Sequence, residues 1–546
     1  MKDFFSLILL MLLVLPIEAK TYYVNSNIGK DSNGGTSMKA PFQTLDKVNS
    51  LKLKAGDQVL LASGCTFTGS LILKNQSGSK GKPITISNYI SSKSADNKNT
   101  IIDASGFPNG ILIENSSYIT VKNISITANN DKIENTNSKN DKMRCGVLVK
   151  STKSGVYSNV FLDHLHVYDI FIEKKGYERG SEEVVSANGT QRYGWGIRFI
   201  TEKQNSILEN VKVESCLVEN VSHTGIKFTS EKSGQNIKNI SVLNNQVRKT
   251  GGPGIQMSGV FKGIVSGNTV DRSGSDDDSR KWGRGSGLWT WGTSDVVIEH
   301  NSFRNANGPG DSAGCHIDFN CRNVIVQYNF SENNAGGFCE ILGNNHNCAY
   351  RYNISVNDGY REKGVHGAFQ EGKIFWLSGF NGNKKRSGPF DSYFYNNTIY
   401  VSKDIVAKIA VDHVSNGILI ANNIFYIEGE SMLVFGDQYK PDTGGASEIE
   451  NVVFENNLYL KKSNWPSDVL IQDTHPLFGN PMFVKPGGDE IKDYKPTNEE
   501  LVKNKGIKIK PIPGDIIGLK IGLEVKYDFM GNAIQGTPDL GAIELN

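Results

Sequence analysis

From Thr100 onward the chain repeats one phrase of apolar and polar positions. A short strand of alternating β-branched residues is followed by an Asn, a second short strand and a glycine-containing turn. Ile119–Ile126 carries Asn123 in this way, and Asn220, Asn245, Asn268, Asn301, Asn329, Asn353, Asn397, Asn423 and Asn457 recur later in the same phrase. Most intervals are roughly 23 to 34 residues, the range of solenoid repeats. One pair of repeats aligns without a gap. Gly314–Asn329 laid over Phe338–Asn353 puts Cys315 on Cys339, His316 on Glu340 and Ile317 on Ile341. An Asn at one corner of every coil has a physical reason, because its side chain can bond turn backbone and the Asn above and below, and it tolerates left-handed backbone. A β-propeller would also repeat, but in longer units of four strands. The pattern predicts an all-β solenoid of stacked coils.

Each coil also holds a short strand that follows a glycine or another small residue. In order these are Gly196-Ile197-Arg198-Phe199, Gly225-Ile226-Lys227-Phe228, Gly254-Ile255-Gln256-Met257, Gly287-Leu288-Trp289-Thr290-Trp291, Gly314-Cys315-His316-Ile317-Asp318, Phe338-Cys339-Glu340-Ile341 and Ala368-Phe369-Gln370-Glu371. Side chains alternate along a strand. Ile197, Ile226, Ile255, Leu288, Cys315, Cys339 and Phe369 are therefore expected to face the core. Arg198, Lys227, Gln256, Trp289, His316, Glu340 and Gln370 are expected to line one outer face, joined two residues along by Trp291 and Asp318. Coils stack about 4.8 Å apart, so this face gathers polar and aromatic groups within the length of an oligosaccharide. Flat aromatic faces for sugar C–H surfaces and polar groups for hydroxyls are what a carbohydrate site needs.

Residues 1–19 read as a signal peptide, with Lys2 ahead of the apolar stretch Phe4–Pro16 and a small Ala19 before Lys20. The mature chain is expected to be exported to the periplasm, the medium or the cell surface, without membrane insertion. Residues 20–99 are expected to form an N-terminal cap and first strands, including a helical stretch at Phe42–Leu53. The coils then occupy 100–460. An irregular, proline-bearing segment, 461–546, is expected to cap them, so its Asp539 and Glu544 are not assigned to chemistry. Tyr168–Gln191, Asp271–Gly285 and Asp358–Asp391 are expected insertions, which in solenoids crowd the binding face. The 546-residue chain has a formal charge of +2, so no nucleic-acid partner is indicated. A monomer acting on a neutral or weakly charged carbohydrate fits that balance. Seven cysteines match no zinc motif and leave one unpaired. Cys315 and Cys339 are expected to be stacked free thiols, because parallel neighbours in register aim their Cβ atoms the same way.

The outer face supports three chemistries. Glycoside hydrolysis needs two carboxylates, one protonated and one ionised. Asp318 and Glu340 lie on adjacent coils, with Cα atoms about 8 Å apart from strand rise and spacing. His316 beside Asp318 is expected to keep that carboxylate ionised. A lyase would instead use Arg198 or Lys227 as base, with calcium at Asp276-Asp277-Asp278 as a possible helper; otherwise no cofactor or metal is expected. A glycan-binding coil would keep Trp289 and Trp291 and not need the acids. His346, Glu371, Asp358, Arg361, Asp412 and His413 are further candidates near the stripe.

Over Thr100–Leu460 the repeats resemble right-handed parallel β-helices, the fold of pectin-active enzymes and several glycosidase families. The tail, with Asp528-Phe529-Met530-Gly531-Asn532 and Pro538-Asp539-Leu540-Gly541, is similar to that of exported bacterial β-helix proteins. The Asp in His316-Ile317-Asp318-Phe319 and the Glu in Cys339-Glu340-Ile341-Leu342-Gly343-Asn344-Asn345-His346 resemble the acid pair of the β-helix β-xylosidases. That resemblance implies Asp318 as nucleophile and Glu340 as acid/base. The pectin-hydrolase pattern of paired acids is absent.

Overall fold

The computed structural model describes residues 18–91, 98–129, 143–172, 193–274, 284–434, 449, 451–466 and 472–545. The sequence reading of residues 1–17 and of Asp276-Asp277-Asp278 falls outside them. The strands stack into three parallel sheets of 14, 12 and 14 members, each coil giving one strand to each sheet. The chain runs from the first sheet to the third and then to the second, as in Ile119–Lys122, Ser125–Asn129 and Met143–Ser151. This is the parallel β-helix that the repeats predict. Stacking begins early, since Thr21–Val24 already pairs with Gln58–Ala62 in the first sheet. The expected helical stretch forms one short helix, Leu45–Asn49, whose first turn is capped by the Thr44 side chain.

The inward column is a ladder in register, Ile197, Ile226, Ile255, Leu288 and Cys315, and it belongs to one core that runs from Val24 to Tyr459. Where each coil enters the second sheet, glycine is required by contact. A Cβ at Gly225 would lie 2.4 Å from Val247 Cγ1 and 2.8 Å from the Gly254 carbonyl oxygen, far inside van der Waals range. All seven cysteines are buried free thiols, Cys315 and Cys339 among them.

The asparagine corner divides into two positions with separate duties. The first residue of each corner, from Asn123 through Ser215, Gly267, Tyr328 and Tyr352 to Asn456, has a left-handed φ, between 49° at His164 and 71° at Gly267. The next residue is the buried ladder. Asn245 donates through N and Nδ2 to Asn268 Oδ1, each at 2.9 Å. Asn268 does the same to Asn301, and the series continues through Asn329, Asn353, Asn397 and Asn423 to Asn457. Cys216 N–H opens the ladder and Asp473 closes it. Each buried bond contributes about 1 kcal/mol net, and far more is lost if a partner is removed. Asn123 is thus a left-handed corner rather than a rung. Asn220 is outside the ladder as well, with its amide bonded to Asp169.

The long connections run from the third sheet to the second, between Phe171 and Tyr193, between Ser273 and Leu288, and between Val356 and Lys373. They enter the sheet that carries the candidate site. The irregular C-terminal segment runs back along the flanks of the first and third sheets rather than only over the last coil. Asn347 bonds Gly518 O, Arg351 bonds Gly522 O, and Tyr328 bonds Tyr527 O. Asp539 and Glu544 accept backbone N–H groups within this segment. Among the described residues no helix is long and apolar enough to cross a membrane.

Candidate active site

The outward column of the second sheet is in register from Arg198 through Lys227, Gln256 and Trp289 to His316. Ile317 pairs with Ile341, which sets Glu340 on the next coil, and Trp376 follows Glu340. Asp318 comes directly after the strand Cys315–Ile317, with its N–H bonded to Thr290 O at 2.9 Å. The column is not a solvent-washed stripe. Lys227, Gln256, Trp289, His316, Asp318 and Glu340 are all buried, and Trp291 is half-buried.

Burial decides the electrostatics. Asp318 is lifted to about 7, first by desolvation, with Asp311 adding to the rise. Two donors oppose it. Trp289 Nε1–H gives a 2.7 Å bond to one carboxylate oxygen, and Phe319 N–H a 2.8 Å bond to the other. A donor on each oxygen also fixes the plane of the carboxylate. Glu340 is held well above the carboxylate range by burial, then by the field of Asp311 and that of Asp318, against Lys373 and Arg361. Both carboxyls are therefore biased toward the protonated form, and an ionised Asp318 biases Glu340 further.

His316 and Trp289 take roles that differ from the expected ones. His316 does not hold Asp318 ionised, because burial lowers its own pKa to about 4 and leaves the ring neutral. Its Nδ1 lies 3.0 Å from Ser286 Oγ, and that hydroxyl accepts Ala313 N–H. The Ser286 proton is thus available to Nδ1, which places the imidazole proton on Nε2. Trp289 is not an exposed platform, since its indole N–H is spent on Asp318. Trp291 packs against Phe319 with centroids 5.7 Å apart, and among the described residues its buried Nε1 has no hydrogen-bond partner.

The loops entering the sheet bring a second set of charges. Arg361 donates to the carbonyls of Gly308, Asp311 and Gln370, and to the Gln370 amide oxygen. Asp311 N–H also reaches that amide oxygen. Gln370 is therefore a buried loop residue tied to Arg361 rather than part of the strand column, and Phe369 is exposed rather than in the core. The strand at that level is Lys373–Leu377, so Trp376 occupies the place expected for Gln370. Lys373 Nζ sits 3.9 Å from the Trp376 ring centroid. Glu371 pairs with Lys408 at 3.3 Å.

Other candidates lie apart. His346 bridges to Arg322 and Phe390 on the first sheet and stacks on Phe390 at 4.9 Å, so it does not join the outer column of the second. Asp358 is part of an inner ladder with Asn334 and Ser355. Asp412, two coils past Glu340, binds Arg386, Gly379 N–H and His413. Arg198 and Lys227 stand over the ring of Trp195 at 4.2 Å and 4.8 Å. Among the described residues no three His, Cys, Asp or Glu side chains converge as a metal site.

Two residues of this cluster were not placed by the strand pattern. Asp311 sits in the Gly308-Pro309-Gly310 loop with φ 43°, and a loop residue has no side-chain alternation to place it. Its place just ahead of the most chemistry-rich strand was the available clue. Trp376 was displaced by the misread register after Glu340.

A family model described as a right handed beta helix region matches residues 195–383, the part that contains these residues. The chain is similar to a lacto-N-biosidase of Bifidobacterium longum subsp. longum, 24% identical over 96% of this chain and 36% of that protein. It thus spans about a third of the length of that curated relative. Among solved structures it is similar to a GH136 lacto-N-biosidase from Eubacterium ramulus, with TM-score 0.52 and 22% identity, covering 76% of this chain and 68% of that one. It is also similar to XylC in complex with xylose, with TM-score 0.52 and 12% identity over 96% and 98% of the two chains. These likenesses place the chain among right-handed parallel β-helices.

Proposed function

We propose that the protein is a glycoside hydrolase that cleaves an oligosaccharide at the Asp318–Glu340 pair. The observation that carries this is two buried carboxyls on adjacent coils of one face, Asp318 held by two donors and Glu340 raised by burial and by the charges of Asp311 and Asp318. Glu340 donates its proton to the glycosidic oxygen as the bond to the leaving sugar breaks. Asp318, held by Trp289 and Phe319, attacks the anomeric carbon and forms a glycosyl ester. Water then attacks that carbon, Glu340 takes its proton, and Asp318 is released. The fields of Lys373 and Arg361 limit how far Glu340 is raised, which keeps its proton transferable. The named activity of the lacto-N-biosidase relatives and the xylose held by XylC support the same reaction class. The apolar run Phe4–Pro16 supports export of the chain.

One observation favours a second assignment of the proton donor. Asp311 is the largest charge–charge influence on both Glu340 and His316, so it shares the site. In that version Asp311 protonates the leaving group and Glu340 supports it. Azide distinguishes the two on an aryl glycoside with a good leaving group. With Glu340 as donor, Glu340→Ala regains turnover in azide and forms a glycosyl azide of retained configuration. Asp311→Asn then stays active and shifts its pH profile downward, because a like charge is gone. Rescue of Asp311→Ala alone assigns the proton to Asp311. Assays of the unmodified chain read reducing ends and unsaturated-uronate absorbance together. Absorbance without hydrolysis would replace this reading with a lyase working through Arg198 and Lys227.

A further inference from the structure

The outward column changes character along its length. Around His316 and Glu340 it is dominated by acids balanced by cations. Toward the N-terminus it presents Gln256, Lys227 and Arg198, and there the balance is missing. Lys227 and Arg198 are stacked on one buried indole, that of Trp195. Arg198 donates one N–H to Met143 Sδ at 2.9 Å, a weak acceptor, and its buried Nε has no hydrogen-bond partner among the described residues. Gln256, on the adjoining coil, is 0% exposed, and among the described residues both its amide oxygen and its amide nitrogen lack partners.

Other buried cations among the described residues have partners. Arg351 bonds Gln327, Tyr395 and Gly522 O; Arg361 bonds carbonyls; Lys408 pairs with Glu371. The fields acting on Arg198 and Lys227 include no carboxylate among the described residues. Burial comes first for both, then Cys145 for Arg198 and Arg198 itself for Lys227. Lys227 is buried and Arg198 half-buried, and burial with the neighbouring Arg198 charge holds Lys227 well below the ordinary lysine range, a cost that a paired anion would relieve. A forked guanidinium, an ammonium and a free carboxamide side by side supply the donors that a carboxylate or sulfate ester accepts.

We propose that Arg198, Lys227 and Gln256 form a subsite for an acidic sugar, one bearing a carboxylate or a sulfate ester, on the glycan that the Asp318–Glu340 pair cleaves. The proposal rests on the glycosidase reading and extends it to substrate class. From the strand spacing, Lys227 lies about 14 Å and Arg198 about 19 Å along the axis from His316. The acidic sugar is thus remote from the bond being broken. The Trp195 ring holds both cations within reach of its π face, with Arg198 at 4.2 Å and Lys227 at 4.8 Å from its centroid.

The test uses the full chain carrying Asp318→Asn, which holds glycans without turning them over. Calorimetry compares oligosaccharides that differ only in one remote unit: neutral, uronate or sialate, and sulfate ester. The acidic members should bind about tenfold tighter at low ionic strength, and salt should erode that preference. The carboxylate and sulfate arms identify which anion fits. Lys227→Met and Arg198→Met, each in that background, should reduce the preference to within about twofold. Equal affinity for neutral and acidic glycans in the folded Asp318→Asn chain overturns the proposal. So does a preference that survives both substitutions, or substitutions that lower only the unfolding temperature. If either Met variant does not fold, the salt dependence of the parent decides. Hydrolysis of neutral glycans by the unmodified chain is scored separately, so failure of the subsite is distinguishable from failure of the glycosidase reading.

Discussion

Asp318 and Asp358 are both buried, and burial lifts both to about 7. Their surroundings differ. Asp358 sits among neutral donors: Asn334 gives its N–H at 2.9 Å and its Nδ2 at 2.8 Å to one oxygen, and Ser355 gives its hydroxyl at 2.7 Å to the other. It is the end of an inner ladder that ties one coil to the next. Asp318 shares its space with two more carboxylates, Glu340 and Asp311, and with the field of Arg284. A raised pKa by itself marks burial. What marks the site is like charges gathered on one face.

Substitution should separate the two acids most sharply in turnover. Asp318→Asn is expected to lower kcat about a thousandfold while the chain stays folded, because the amide is a poor nucleophile and leaves the coil contacts in place. Near-normal kcat on any glycan that the parent cleaves would remove Asp318 from the reaction. Asp358→Ala should do the opposite. It strands the donors of Asn334 and Ser355, at about 1–3 kcal/mol for each group left unpaired. Thermal unfolding should come earlier and the Asn334 amide should exchange faster, with kcat nearly unchanged.

The next effect is on stability against pH. Glu340 has a folded pKa above its unfolded one, so it costs nothing below about 4.3, the unfolded value, and costs more as pH rises above it. Glu340→Gln should therefore gain unfolding temperature over the parent at pH 8 and gain little at pH 4. An equal gain at both pH values would mean that charge burial is not its cause. The smallest shift is kinetic. Trp289→Phe removes a donor that favours the ionised form of Asp318, so the acidic limb of kcat/KM should move above about 7. Ser355→Ala raises Asp358 by the same logic, yet it should leave the kinetic profile where it was.

Much of the molecule was legible because a coil repeats. Ile197, Ile226, Ile255 and Leu288 had to face inward once the strands stacked, and Arg198, Lys227, Gln256, Trp289, His316 and Glu340 then had to share the other face. The register broke after Glu340. The connection Val356–Lys373 has no alternation to read, so Gln370 was placed in a strand that Trp376 occupies. The corner was half legible. Asn was identified as its residue, but a pattern of single letters does not separate a left-handed backbone position from the buried amide that follows it.

Periodicity and alternation in the sequence determined the solenoid, its column of outward residues and the juxtaposition of Asp318 with Glu340, because neighbouring coils in register leave no other arrangement. The tertiary structure decided everything that depends on what covers that column. Burial set the protonation of the acids, neutralised His316 and turned Trp289 from a platform into a donor. The fold of the loops brought Asp311, Arg361 and Lys373 to the same place. Those outcomes depend on desolvation and on distances between residues remote in sequence, and neither is written in the local pattern of side chains.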